Sequence, residues 1–234
     1  MFMADSEKKT IISLFAHPDD ELGSIGTLVN HAERGDNVIM GWTTYGELTT
    51  MFPDFSPEEV KRERMRHANE IVKIVGAQKA VILDLGDSNV QQTREQRIAV
   101  AKFYVQERPD VVITWGVSNV HPDHRNTSFL ALDAIKFARI NRIVETDKPH
   151  RENVKLLMYY EEGSPFQVKY VDISEEVMEK VKAAAQFYAD IYKWKNTPDW
   201  TITRRRSRGY EANTKYAEKF NVRFEFDKPS PYVI

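Results

Sequence analysis

Four apolar segments of strand length alternate with helical patterns over the first 140 residues, and this alternation constrains the fold more than any other feature. The predicted strands cover residues 10–16, 37–43, 80–85 and 110–115. Each is followed by apolar residues at helical spacing. The helix after the second strand is predicted to start at a capping box of Ser56 and Glu59, and the helix after the fourth strand to run from Phe129 to Ile140. Alternation of this kind is typical of βαβ units. We therefore predict an α/β fold, with a doubly wound, mostly parallel sheet of the Rossmann type and helices on both faces.

The rest of the chain continues this pattern. Further strands are predicted at residues 154–161, 168–173 and 222–226, and a long helix at residues 175–193. No repeat, low-complexity tract or linker divides the chain. We expect residues 1–234 to form a single domain, in which residues 150–234 complete the sheet and cover the active site.

Two polar clusters follow the first and the fourth predicted strands. The first is the stretch AHPDDE at residues 16–21, and the second is HPDH at residues 121–124. Ligands of open parallel sheets bind at the carboxyl ends of the strands. Folding alone does not explain His and Asp side chains concentrated at this edge. We therefore expect the two stretches to meet and to hold one metal ion.

Composition limits the chemistry and the partners. The chain has no cysteine, which excludes disulfides, thiolate zinc sites and a cysteine nucleophile. Its net charge of −2 offers no case for nucleic acid or an anionic membrane. No apolar run approaches the roughly 20 residues of a membrane span, and the first ten residues lack a signal-peptide core. We expect a cytoplasmic protein with a small-molecule substrate.

The two loops contain the side chains that metal-assisted hydrolysis requires. Catalytic zinc takes about three protein ligands and keeps one position open for water. His17 and Asp20 in the first loop and His124 in the second supply two imidazoles and one carboxylate. Three more side chains are left for proton transfer to and from the substrate: Asp19, His121 and Asp123.

Both stretches resemble the two signatures of the LmbE-like, or PIG-L, family of zinc-dependent N-deacetylases. Residues 64–76 resemble the arginine-bearing second helix of that family, and YAEKF at residues 216–220 resembles its C-terminal Tyr-Ala-Glu-x-Phe stretch. The resemblance implies an LmbE-like fold. It also implies a hydrolase that removes the acetyl group of an N-acetylglucosamine-type sugar or its conjugate, releasing acetate and a free amine.

The resemblance also implies roles for the first loop and for the metal. His17, Asp20 and His124 would bind one zinc ion per chain, and Asp19 would be the general base. Family members commonly form trimers or hexamers, so the resemblance implies a homo-oligomer.

Further roles follow from the same resemblance. His121, oriented by Asp123, would stabilise the oxyanion and protonate the leaving amine. Arg64 and Asp87 match substrate contacts of the family. His67 departs from the pattern, because family members often carry Glu there, and we interpret it as a residue of the helix surface.

Three other features are interpreted as structural. The basic run RRRSR at residues 204–208 is read as a solvated segment, with a wall of the substrate cleft as the alternative. His31 and His150 are read as surface residues. Trp42, Trp115 and the tyrosines at 159 and 160 are expected to pack in the core.

Two other functions remain open from the residues alone. Two histidines and one carboxylate are also the ligand set of non-haem iron enzymes. A doubly wound domain can also bind a sugar or nucleotide without catalysis, although the first loop lacks the G-x-G-x-x-G spacing of phosphate-binding loops.

Overall fold

A computed structural model describes residues 8–224 of the chain. In this part of the chain seven strands form one sheet: β1 Thr10–Phe15, β2 Asn37–Trp42, β3 Lys79–Ile82, β4 Val111–Thr114, β5 Lys155–Tyr159, β6 Gln167–Asp172 and β7 Ala217–Phe224. The helices are α1 Ile25–Arg34, α2 Pro57–Val75, α3 Arg94–Glu107, α4 Pro122–Phe137, α5 Asn141–Val144, α6 Glu175–Tyr192 and α7 Thr197–Glu211. A short 3-10 helix, Asp20–Gly23, follows β1.

The strand order is β3-β2-β1-β4-β5-β7-β6. Strands β1 to β5 pair in parallel, and β7 pairs antiparallel with both β5 and β6. The predicted α/β fold with a mostly parallel sheet is confirmed. Because β2 and β4 lie on opposite sides of β1, the direction of winding reverses between β1 and β4, and ligands of such sheets bind at this point.

Helices cover both faces of the sheet. Alternate side chains of β1 belong to different cores: Ile11 and Phe15 pack with α1, α2 and α6, whereas Ile12 and Leu14 pack with α3 and α4. This alternation follows from the twofold side-chain period of a strand. A central strand buried on both faces explains the near-continuous apolar run that predicted β1.

Two predicted boundaries were wrong in ways that matter for the site. Helix α4 begins at Pro122, not near residue 129, because His121 serves as N-cap and proline is favoured at the first helical position. Strand β7 begins at Ala217 rather than at residue 222. The start of the strand was missed because Glu218 is polar although it is buried, so it breaks the hydrophobic pattern. The predicted residues 225 and 226 lie outside the described residues.

The sequence predicts no membrane-spanning segment. Within residues 8–224, none of the helices is long and apolar enough to cross a membrane.

Candidate metal centre and active site

The first and second loops meet because β1 and β4 are parallel neighbours that end at the same edge of the sheet. Three ligand atoms converge there. His17 Nδ1 lies 3.3 Å from His124 Nε2, and the Asp20 carboxylate lies 3.5 Å from the first and 3.3 Å from the second. The predicted set of His17, Asp20 and His124 therefore forms one cluster with the geometry of a metal site.

Neighbouring groups hold this cluster in place. The backbone N–H groups of Ala16 and His17 donate to Asp20 Oδ2 at 3.1 and 2.9 Å. The Trp115 indole N–H donates to the same oxygen at 3.0 Å, and its ring stacks on His124 at 4.3 Å. Trp115 packs against the core, as expected, and its half-buried side chain also contacts two of the three candidate ligands.

Charge in the cluster favours a bound cation. Burial lowers the pKa of His17, but hydrogen bonds with Asp123, Asp20 and Asp87 outweigh it and raise that pKa to about 12. Burial lowers the pKa of His124 to about 4 despite Asp20, so this ring is neutral, as a metal ligand must be. The surrounding carboxylates keep a proton on His17. The same negative charge would stabilise a divalent cation that replaces this proton. The donor set therefore fits a metal ion.

The other ring nitrogen of His17 faces two carboxylates. His17 Nε2 lies 3.3 Å from Asp123 Oδ2 and 3.3 Å from Asp87 Oδ1. Asp123 Oδ2 also accepts the Ser88 N–H at 2.7 Å, and Asp87 Oδ2 accepts the Leu48 N–H at 2.9 Å. These carboxylates favour a proton on Nε2, which leaves Nδ1 for the metal.

This arrangement differs from the roles expected for Asp123 and Asp87. The Asp123 carboxylate contacts His17 rather than His121, and only the Asp123 backbone N–H reaches His121, donating to Nδ1 at 3.2 Å. Asp123 lies in the first turn of α4, which turns its side chain back toward β1. Asp87, expected at the substrate, has one oxygen on His17 and the other on the loop after β2.

Asp19 adopts a strained backbone beside the cluster, with φ 127° and ψ −23°. A non-glycine residue with positive φ is uncommon, and such residues concentrate at active sites. The Arg64 guanidinium lies 3.1 Å from Asp19 Oδ2. Burial raises the pKa of Asp19 to about 7, against the opposing effect of Arg64. This value suits a general base that works near neutral pH.

Glu21 supports Asp19, and it was missed as a site residue because an acidic residue at a helix start is already explained by the helix dipole. It is fully buried. Its Oε2 accepts the Asp19 N–H at 3.0 Å and the Trp42 indole N–H at 3.0 Å, and its Oε1 accepts the Tyr188 hydroxyl at 2.7 Å. Buried Trp and Tyr side chains usually form a hydrogen bond through their N–H or O–H group. Aromatic residues expected in the core could therefore have indicated a buried acidic partner.

Arg64 is buried, and its contacts are with the first loop. Nη1 donates to the Pro18 carbonyl at 2.7 Å and also contacts the Tyr192 hydroxyl. The predicted capping box, Ser56 with Glu59, starts α2 and so fixes the position of Arg64 along the helix. This geometry supports Asp19 directly, whereas the expected substrate contact stays a prediction.

His121 lies at the exposed end of the site. Its ring stacks on His124 at 4.4 Å and lies 5.2 Å from His17. As N-cap of α4 it accepts the Asp123 N–H through Nδ1. In the neutral ring the proton therefore sits on Nε2, on the side away from the helix backbone.

Two histidines were wrongly assigned to the surface. His67 is buried among aromatic rings, with Phe52 at 6.0 Å and Phe187 at 5.7 Å, and its Nε2 lies 3.1 Å from Glu63. His150 is also buried, with Nε2 2.8 Å from the Pro109 carbonyl. His31 keeps 25% of its side chain exposed and pairs with Asp36 at 2.6 Å. None of these three belongs to the candidate metal cluster.

The basic run lies in α7, where one side of it forms a wall of a cavity while Arg206 and Ser207 stay exposed. Arg205 is buried and forms an ion pair with Glu218. The same carboxylate accepts the backbone N–H groups of Gly26 and Thr27 at 2.9 and 2.8 Å, at the start of α1. Arg204, Arg205 and Arg208 line a cavity of about 520 Å³ that reaches Asp19 and Asp20.

Two diacetylchitobiose deacetylases are similar to this chain. The diacetylchitobiose deacetylase of Thermococcus kodakarensis is 28% identical over 201 residues, covering 80% of this chain and 74% of that protein. The structure of N,N'-diacetylchitobiose deacetylase from Pyrococcus horikoshii superposes with a TM-score of 0.80 at 26% identity, covering 93% of this chain and 84% of that one.

A third neighbour shows the fold alone. GalB, the 4-carboxy-2-hydroxymuconate hydratase from Pseudomonas putida, has a TM-score of 0.80 at 19% identity, covering 96% of this chain and 100% of that one. One fold hosts different reactions, so the reaction must be argued from the site.

The sequence model of the PIG-L family, described as GlcNAc-PI de-N-acetylase, matches residues 12–135. The match includes β1, β4 and both loops of the candidate site. Because it spans more than half of the chain, this protein belongs to the PIG-L family of de-N-acetylases.

Proposed function

We propose that this protein is a zinc-dependent hydrolase that removes the acetyl group of an N-acetylglucosamine-type sugar or its conjugate. The observation that carries the proposal is the convergence of His17 Nδ1, His124 Nε2 and the Asp20 carboxylate beside the carboxylate of Asp19. Membership of a de-N-acetylase family supports the reaction. The diacetylchitobiose deacetylases among its relatives support the amino-sugar class of substrate.

Zinc is the metal that best suits the donor set. Two imidazoles and one carboxylate, with no thiolate, are ligands of catalytic zinc sites that keep a position open. His17, Asp20 and His124 would hold the ion. When bound, zinc lowers the pKa of its water to about 7 and polarises the acyl carbonyl.

Asp19 is assigned the proton transfers. Its carboxylate accepts a proton from the attacking water as the water oxygen bonds to the acyl carbon. The C–N bond then breaks, acetate leaves, and the proton that Asp19 accepted passes to the departing amine. Arg64 keeps the Asp19 carboxylate oriented through the 3.1 Å contact, and the Glu21 carboxylate holds the Asp19 backbone N–H at 3.0 Å.

We assign His121 the role of hydrogen-bond donor to the acyl oxygen, next to the leaving group. Since its Nδ1 accepts the backbone N–H of Asp123, its Nε2–H is the donor available to a substrate. A positioned donor of this kind stabilises the negative charge that develops on the carbonyl oxygen. Its exposed position at the start of α4 leaves it open to the substrate.

Iron on the same ligand set is the remaining alternative for the metal, since two histidines and one carboxylate also hold non-haem iron. A carboxylate with a pKa of about 7 beside the cluster favours hydrolysis over oxygen chemistry. Metal analysis of anaerobically purified protein, together with an oxygen-uptake assay, separates the two.

The test is an assay for released amine on N,N'-diacetylchitobiose and simple N-acetylglucosaminides. We expect turnover with zinc, loss of turnover with a chelator, and recovery when zinc is restored. An inactive chelator-treated enzyme that zinc does not restore, but ferrous iron does, would overturn the assignment of zinc. Absence of turnover on every N-acetylated sugar, with zinc bound, would overturn the assignment of substrate class.

A further inference from the structure

The cavity that reaches Asp19 and Asp20 is lined by two chemically different groups of residues. One group is acidic and contains these two carboxylates. The other group, here called the α7 end, comes from α7 and the segment before it and contains the aromatic residues Trp194 and Trp200 together with Arg204. A volume of about 520 Å³ lies within the usual range of small-molecule sites.

The aromatic wall is unusually open. Trp200 is 53% exposed and Trp194 is 40% exposed, although both are large apolar side chains. The Arg204 guanidinium lies over the Trp200 ring at 5.1 Å. A guanidinium stacked on an aromatic face keeps its N–H edge free for a planar anion.

Arg204 differs from the other basic residues of this wall in its partners. Arg205 pairs with Glu218. Arg208 and Lys219 both pair with Glu211, at 2.5 and 2.6 Å. Among residues 8–224, no carboxylate forms an ion pair or hydrogen bond with Arg204.

Two further carboxylates line the cavity, Glu218 and Glu161, and each has another partner: Glu218 pairs with Arg205, and Glu161 accepts a backbone N–H. Glu161 Oε1 accepts the Ser118 N–H at 2.8 Å, and its carboxyl group lies directly over Gly116. Glu161 is therefore held beside the second loop of the active site, and among residues 8–224 no carboxylate compensates the charge of Arg204 at the α7 end.

We propose that the α7 end of this cavity is a subsite for an anionic group, a carboxylate or a phosphate, carried by the aglycone of the N-acetylated sugar. The inference rests on the proposed function, because the acetamide must lie at Asp19 and Asp20 for the aglycone to extend toward α7. Trp200 and Trp194 supply apolar faces for the intervening ring, and Arg204 binds the anion with its N–H edge.

Two matched substrates test the subsite. The carboxymethyl and 2-hydroxyethyl β-glycosides of N-acetylglucosamine have aglycones of nearly equal size and differ by one negative charge. We expect the wild-type enzyme to prefer the carboxymethyl glycoside by about 10- to 100-fold in kcat/KM, the range that charged hydrogen bonds give. The preference should appear mainly in KM.

Arg204→Gln should bring this ratio to about one, and Arg204→Lys should leave it in between, because an ammonium lacks the planar fork. Arg206→Gln is the matched control. Arg206 lies two residues along the same helix and contacts Tyr216 outside the cavity lining, so its removal should keep the wild-type ratio. A wild-type ratio of one, or a ratio that Arg204→Gln leaves unchanged, overturns the subsite.

Calorimetry with the same two glycosides separates this proposal from the catalytic one. If neither glycoside is hydrolysed, the proposed function fails. Tighter binding of the carboxymethyl glycoside, lost in Arg204→Gln, still supports the subsite, whereas equal binding of the two glycosides overturns it.

Discussion

The two loops of the site differ in how many distant partners hold them. The first loop, residues 17–21, is fixed by partners far away in the sequence: Arg64 on Asp19, Trp42 and Tyr188 on Glu21, and Trp115 on Asp20. The second loop, residues 116–121 up to the start of α4, has a distant hydrogen bond, from the Ser118 N–H to Glu161 Oε1 at 2.8 Å, and otherwise depends on local bonds. His121 N–H donates to Asn119 Oδ1 at 2.9 Å, and Arg125 donates to the Asn119 carbonyl at 2.9 Å.

Exposure follows the same division. Glu21 is fully buried, whereas Val120 in the second loop is 92% exposed and His121 is also exposed. The difference in burial matches the different roles proposed for the two loops. The proposed base and the strained backbone that carries it need a rigid surrounding, while the donor to the substrate lies on an open loop.

The largest expected effect is at Asp19. Asp19→Ala should lower kcat by about a hundredfold to ten-thousandfold, the range of general acid–base catalysis, while the protein keeps its metal. His17→Ala should lose both metal and activity, because it removes a ligand. Turnover assays with metal analysis on each purified variant check this. Full turnover by Asp19→Ala would sink the mechanism.

A smaller loss is expected in the second loop. His121→Gln should lower kcat by about a hundredfold to a thousandfold, as for other donors to a developing oxyanion, with little change in metal content or stability. Val120→Ala is the matched control and should stay within about twofold of wild type, because Val120 is almost fully exposed. Unfolding of His121→Gln near the wild-type temperature with normal kcat would remove His121 from the mechanism.

Glu21→Gln tests whether the buried network positions Asp19. The amide keeps the size of Glu21 but cannot accept from Asp19, Trp42 and Tyr188 together, so we expect about a tenfold loss in kcat with KM and metal content unchanged. Tyr188→Phe, which removes only the bond to Glu21 Oε1, is the comparison. If Tyr188→Phe loses as much kcat at equal stability, Glu21 does not act through the Asp19 N–H.

The smallest effect concerns stability behind the first loop, where His67 lies one turn after Arg64 on α2. Burial lowers the pKa of His67 to about 4, only partly opposed by Glu63. The unfolded chain, with a histidine pKa near 6.5, binds more protons below that pH, so stability falls as pH drops from about 6.5 to 4.

His67→Phe should remove about 1–3 kcal/mol of this acid loss, because a phenyl ring suits the aromatic surroundings and does not titrate. Urea unfolding at pH 7 and pH 5 measures the difference between the variant and wild type. An equal loss of stability between the two pH values in both proteins would contradict the buried, neutral state of His67.

Much of the fold was predictable from the residues. Apolar runs at strand length gave the parallel core strands, and the capping box at Ser56 gave the start of α2. The misplaced elements were those whose buried side chains are polar. Strand β7 contains Glu218, which is buried in an ion pair with Arg205. A hydrophobic pattern cannot predict such a pair, because both residues are polar and lie in different elements.

The sequence by itself determined the ligand types, their place after β1 and β4, and the family. These follow from residue identity and from the local periodicity of strands and helices. Only the tertiary structure decided which side chains contact and orient one another. It turned Asp123 toward His17, placed Glu21 under the backbone of Asp19, and set Arg204 in the cavity without a carboxylate partner among the residues that the structure describes. Each of these contacts joins residues that local pattern cannot relate, since packing between distant elements brings them together.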